Sequence, residues 1–127
     1  MSKDSNVVLI IEDEKDSLKK HSDLVASGGY IALTASDGYK GLEILSKKIG
    51  IIDIVLLDLS MAGIDGLEVL RTIKNNPQKY GDIPIIILTN MTSEGIIKET
   101  FQLGACSFLL KDQIDTKSLI EELRKYI

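Results

Sequence analysis

Asp53-Ile54-Val55-Leu56-Leu57-Asp58 is the stretch that decides how this chain folds. A short continuous apolar run rich in β-branched residues fits a strand buried on both faces, and the run from Ile52 to Leu57 predicts a central one. The aspartate directly behind it, Asp58, stands close to a buried sheet, where a carboxylate needs a partner.

Working outward, the same scheme repeats on both sides. Val7 to Ile11 predicts another buried strand, and Lys15 to Ser27 a helix with Leu18, Leu24 and Val25 inward and Gly28-Gly29 as its stop. Tyr30 to Ala35 predicts a strand and Gly38 to Lys48 a helix. Beyond Asp58, Gly66 to Asn75 predicts a helix ended by Asn76-Pro77, and Ile85 to Thr89 a strand introduced by Pro84. Ser93 to Leu103 follows as a helix, with Ser93 as its cap and Gly104 at its end. Ser107 to Leu110 is a short strand, and Thr116 to Ile127 a last helix with Thr116 as its cap. Five strands alternating with five helices predict an α/β domain spanning 1–127, its parallel sheet covered on both faces. No linker or output domain is expected within these residues.

Composition narrows the function. The 127 residues carry a formal net charge of −4, which argues against binding nucleic-acid phosphates. Cys106 is the only cysteine, so neither an internal disulfide nor a cysteine-based zinc site can form. That suits a reducing, cytoplasmic setting. Met1 to Asn6 shows no signal-peptide pattern, and no apolar run approaches the roughly 20 residues of a membrane span.

In an open parallel sheet, ligands bind beyond the carboxyl ends of the strands. Glu12, Asp13 and Glu14 stand after the first strand, Asp58 after the third, Thr89 and Asn90 at the end of the fourth, and Lys111 after the fifth. Carboxylates gathered there would repel one another unless a cation joined them, and an all-oxygen acidic site suits Mg²⁺. An aspartate beside such a cation can attack phosphorus, with a lysine and a threonine hydroxyl stabilising the phosphoryl oxygens. Glu14 is more simply explained as an acid at a helix N-terminus. His21 is read as packed at the edge of the first helix.

With these residues in hand, the chain resembles response-regulator receiver domains from Val7 to Ile127. The resemblance rests on Val8-Leu9-Ile10-Ile11-Glu12-Asp13-Glu14, Thr34-Ala35-Ser36-Asp37-Gly38, Asp53 to Leu59, Gly63-Ile64-Asp65-Gly66, Pro84 to Thr89, and Gly104-Ala105 with Phe108-Leu109-Leu110-Lys111. It implies a flavodoxin-like (βα)5 three-layer sandwich with a parallel five-stranded sheet in the order 2-1-3-4-5. It also implies that Asp58 is the phosphoacceptor, with Thr89 and Lys111 holding the phosphoryl group. Mg²⁺ would be bound by the Asp13 and Asp58 carboxylates and the backbone carbonyl of Ser60, and by Glu12 mainly through water. Thr89 and Phe108 would form the switch. The donor would be a sensor histidine kinase or a histidine phosphotransfer protein. A downstream protein or output domain would read the face made by the fourth helix, fifth strand and fifth helix.

Several residues depart from the family's commonest pattern. Ala62 and Asp112 stand where proline is usual, Asn90 where alanine is common, and Cys106-Ser107 where winged-helix regulators carry an acidic pair for dimerisation. With Asp112 after Lys111 the bond between them is expected to be trans, because a cis bond before a non-proline residue costs about 2.5–4 kcal/mol. Two other chemistries fit less well. A flavin-phosphate carrier of the same fold would meet Glu12-Asp13-Glu14 where it needs an anion site, and an aspartyl-nucleophile hydrolase would need an acid where Ser60 stands.

Overall fold

In a computed structural model, which describes residues 6–61, 63–91 and 93–127, a five-stranded parallel sheet runs in the order β2-β1-β3-β4-β5. The strands are β1 (Val7–Ile11), β2 (Ile31–Ala35), β3 (Ile54–Asp58), β4 (Ile85–Thr89) and β5 (Ser107–Leu110). Among the described residues, six helices lie between and after them: α1 (Lys15–Ser27), α2 (Gly38–Lys47), α3 (Gly66–Asn75), α4 (Pro77–Tyr80), α5 (Glu94–Gln102) and α6 (Thr116–Arg124). The flavodoxin-like architecture and the strand order expected from the sequence are both present.

The continuous apolar runs explain the centre of the sheet. Every residue of β1, β3 and β4 is buried, whereas β2 and β5 form the less covered edges. Alternation along each strand divides the core into two layers. Leu9, Ile11, Val55, Leu57, Ile85 and Ile87 pack with residues of α2, α3 and α5. Val8, Ile10, Leu56, Ile86 and Leu88 pack with residues of α1 and α6.

Short polar side chains start the helices. Asp37, Asp65 and Ser93 each accept a hydrogen bond from the backbone N–H three residues on, which satisfies a donor that the first turn cannot pair internally. The cap of the last helix corrects the sequence reading. It is Asp115, not Thr116, and Asp115 forms a reciprocal capping box with Ser118. The extra helix is a second correction. Asn76 and Pro77 end α3, but Pro77 also begins the single turn α4, since proline is preorganised for a first helical position. The substitution of Ala62 for proline lies outside the described residues.

Candidate functional site

The strand ends bring four of the sequence-singled residues to one edge of the sheet. Asp58 is the last residue of β3 and is 2% exposed, Glu12 follows β1 and is fully buried, and Thr89 ends β4. Lys111 begins the 3-10 turn Lys111–Gln113 after β5. Glu12 and Asp58 continue the strand positions of Ile10 and Leu56, which face α1 and α6.

Lys111 joins the two carboxylates. Its Nζ lies 2.7 Å from Glu12 Oε1 and 3.4 Å from Asp58 Oδ2. The backbone N–H of Ser60 donates to Asp58 Oδ1 at 3.1 Å. Ser60 itself is exposed, as is Asp13 in the bend after β1. Among the described residues, no three histidine, cysteine or acidic side chains are gathered as a metal cluster. The Lys111 ammonium supplies the charge between the two buried acids.

Burial acts on all three groups, and their partners decide the outcome. Burial pushes the Asp58 carboxyl above its ordinary pKa; Lys111 and the Ser60 N–H offset only part of this, and nearby Glu12 adds to the rise. Burial would raise Glu12 as well, but hydrogen bonding from His21 and the pairing with Lys111 outweigh it and hold Glu12 below its ordinary value. Burial disfavours the Lys111 ammonium, yet the two carboxylates outweigh that and keep it above its ordinary value.

His21 was not recognised from the sequence as part of this site. Its Nδ1 lies 2.8 Å from Glu12 Oε2, and both side chains are buried. The available signal was its position on the inner stripe of α1, three residues from Leu18 and Leu24.

Thr89 is oriented differently from Asp58. Its hydroxyl accepts a hydrogen bond from the Met91 N–H at 3.0 Å. On the neighbouring strand, Phe108 pairs in register with Ile87 and packs, half buried, against the core layer of α2, α3 and α5. A pocket of about 170 Å³ beside Lys111 is lined also by His21, Ser17, Lys20 and Asn90. A hollow of about 380 Å³ lies at the opposite end of the sheet, between Ile49, Tyr80 and Pro84.

Two departures from the family pattern meet each other. The Asp112 backbone N–H donates to Asn90 Oδ1 at 3.0 Å, a bond that proline at 112 could not make. The Lys111–Asp112 bond is trans, as expected. Asn90→Ala is expected to cost about 0.5–1.5 kcal/mol in the wild-type background and close to nothing in an Asp112→Pro background. Urea denaturation of the four proteins measures this, and equal costs in both backgrounds would show that the bond contributes nothing.

Comparison with known proteins agrees with this fold. Residues 8–124 match the model of the response regulator receiver domain. The polar-differentiation response regulators DivK of Brucella ovis and Brucella suis are 26% identical over 120 residues, covering 94% of each chain. Among solved structures, the chemotaxis protein CheY4 of Vibrio cholerae superposes with a TM-score of 0.87 at 25% identity, over 97% of this chain and 99% of that one. A receiver domain protein from Clostridium thermocellum gives 0.86 at 28% identity, over 96% and 94%. A chain of the CheX-CheY-BeF3-Mg²⁺ complex from Borrelia burgdorferi gives 0.86 at 25% identity, over 94% and 87%. The chain belongs to the response regulator receiver domains, the phosphoaccepting modules of two-component phosphorelay signalling.

Proposed function

We propose that Asp58 is the residue phosphorylated, that Mg²⁺ assists, and that a histidine kinase or phosphotransfer protein is the donor. The observation that carries this reading is the convergence on Asp58, a buried carboxylate at the end of a central strand, of an acid from β1 and a lysine from the end of β5. In the transfer an Asp58 oxygen forms a bond to phosphorus. The bond from phosphorus to the donor nitrogen breaks, and its electron pair leaves with the donor imidazole. Lys111, already within reach of Asp58, then pairs with the phosphoryl oxygens, and the Thr89 hydroxyl donates to one of them.

The donor set fits a hard cation. Among the described residues, Glu12 Oε1 receives no well-aligned hydrogen bond and meets only the Lys111 ammonium, so it keeps acceptor capacity for a divalent ion or for water bound to one. Glu12, Asp13, Asp58 and the Ser60 carbonyl would hold Mg²⁺, which would neutralise charge on the transferring group. At ten times its dissociation constant, Mg²⁺ is expected to stabilise the fold by about 1.4 kcal/mol. Melting curves with and without the ion check this, and Asp13→Ala should remove or greatly weaken the shift. No shift at saturating Mg²⁺ would count against the metal assignment.

Drawing Thr89 toward the phosphoryl group vacates space on the face it shares with Phe108. Phe108 then turns further inward, which changes the surface of α5, β5 and α6 offered to a partner. Incubation with acetyl phosphate and Mg²⁺ should add one phosphoryl group, seen by intact-mass spectrometry. Omission of Mg²⁺ should suppress the addition. Amide spectra with beryllium fluoride should change from Asp58 through Phe108 to α5. Changes confined to the Asp58 pocket would rule out the switch but not the acceptor.

A further inference from the structure

His21 is the only histidine in the chain, and it occupies a buried place on the inner face of α1. An apolar side chain there would need no hydrogen-bond partner, whereas an imidazole does. Its partner is the fully buried Glu12 carboxylate. An ionised carboxylate only accepts hydrogen bonds, so the proton between the two lies on Nδ1, and His21 donates to Oε2.

Glu12 follows β1 and lies outside any helix or strand. Its side chain has more rotatable bonds than an aspartate would, so contacts must fix the carboxylate. Among the described residues, two side chains reach its oxygens, His21 at Oε2 and Lys111 at Oε1. Lys111 is itself a flexible four-carbon chain and a poor anchor. His21 comes from a helix packed on the sheet, and it is the more rigid of the two. The order along the chain of contacts is therefore imidazole, Glu12, ammonium, Asp58.

We infer that His21 is a positioning residue for phosphoryl uptake, fixing Glu12 so that Glu12 in turn holds Lys111 against Asp58. The inference deepens the reading of Asp58 as acceptor and rests on it. His21 touches neither the phosphorus nor the attacking oxygen; it acts by limiting where the ammonium can go before the donor arrives.

The test compares the wild-type chain with His21→Leu and His21→Asn. Leucine keeps the position apolar and filled but donates nothing. Asparagine places an N–H donor at the level of Nδ1. With acetyl phosphate as donor in saturating Mg²⁺, His21→Leu should lower the maximal labelling rate about tenfold while the half-saturating donor concentration stays within about twofold. His21→Asn should recover most of the loss. In the metal-free proteins, the paired Hε resonances of Lys111 should be distinct in wild type and His21→Asn, and should merge in His21→Leu as the ammonium is released. A wild-type rate in His21→Leu, an asparagine variant as slow as the leucine variant, or a Lys111 signal unchanged across all three would each overturn the inference. Labelling of an Asp58→Asn protein to the wild-type extent would instead overturn the assignment of Asp58, whatever the His21 variants do.

Discussion

The Asp58→Asn protein is expected to take up no phosphoryl group from acetyl phosphate under conditions in which the wild-type chain takes up one. Asparagine keeps the volume and can still accept the Ser60 N–H, but its amide is not the nucleophile that a carboxylate is. The same variant is expected to be more stable than wild type when Mg²⁺ is removed by chelation. Burial and Glu12 raise the Asp58 pKa in the folded state, so folding favours the neutral acid. Its stabilising contribution is therefore fully present below the unfolded pKa and is lost as pH rises through the raised folded value. At neutral pH the charged form is a burden that asparagine removes. Glu12 works in the opposite sense: its lowered pKa gives stability that is present above the unfolded value and lost as pH falls through the folded one. The melting temperature of Asp58→Asn should exceed that of wild type at pH 7, and the gap should close as pH falls toward the unfolded aspartate value near about 4. A variant less stable than wild type at pH 7 in chelator would mean that the Lys111 pairing outweighs the burial of the charge.

Gly66→Ala is expected to be among the most damaging small substitutions in the chain. Gly66 begins α3 and donates its N–H to Leu59 O at 3.0 Å, which brings the helix start against the backbone directly behind Asp58. A Cβ built there would collide with the Asp58 carbonyl oxygen and lie 2.5 Å from Leu59 Cα. Both neighbours are backbone at the end of a central strand, so neither can swing aside as a side chain would. Overpacking of this kind costs about 1–3 kcal/mol, occasionally more, and the backbone contact puts Gly66→Ala at about 3 kcal/mol. The displacement falls on Asp58, so labelling should also slow. Gly95→Ala makes a suitable contrast, because Gly95 has open space around it in α5 and alanine there should stabilise by up to about 1 kcal/mol. Urea denaturation of both variants measures the difference, and a Gly66→Ala protein as stable as wild type would show that α3 can withdraw from β3 without cost.

The sequence by itself determined the sheet and which polar residues stand at its edge. Ile54 to Leu57, Val7 to Ile11 and Ile85 to Thr89 are uniformly apolar up to their ends because both sides of each strand are covered, and that requirement is written in consecutive residues. Glu12, Asp58, Thr89 and Lys111 were legible for the same reason: a polar residue where such a run stops is a local signal. The helix starts at Asp37, Asp65 and Ser93 follow the same local chemistry. In the sequence Thr116 reads as the cap of the last helix, and the reciprocal bond with Ser118 places the cap one residue earlier, at Asp115. The tertiary structure alone decided how the polar residues pair. His21 meets Glu12 only because α1 docks on the sheet with that turn of the helix over the end of β1. Asn90 meets Asp112 only because β4 and β5 lie side by side. Lys111 reaches both carboxylates only because β1, β3 and β5 end at one edge in the order the crossovers impose. Patterns along the chain report which face of an element is buried; which side chain lies opposite depends on the angle and register at which two elements pack, and those are set by the whole core at once.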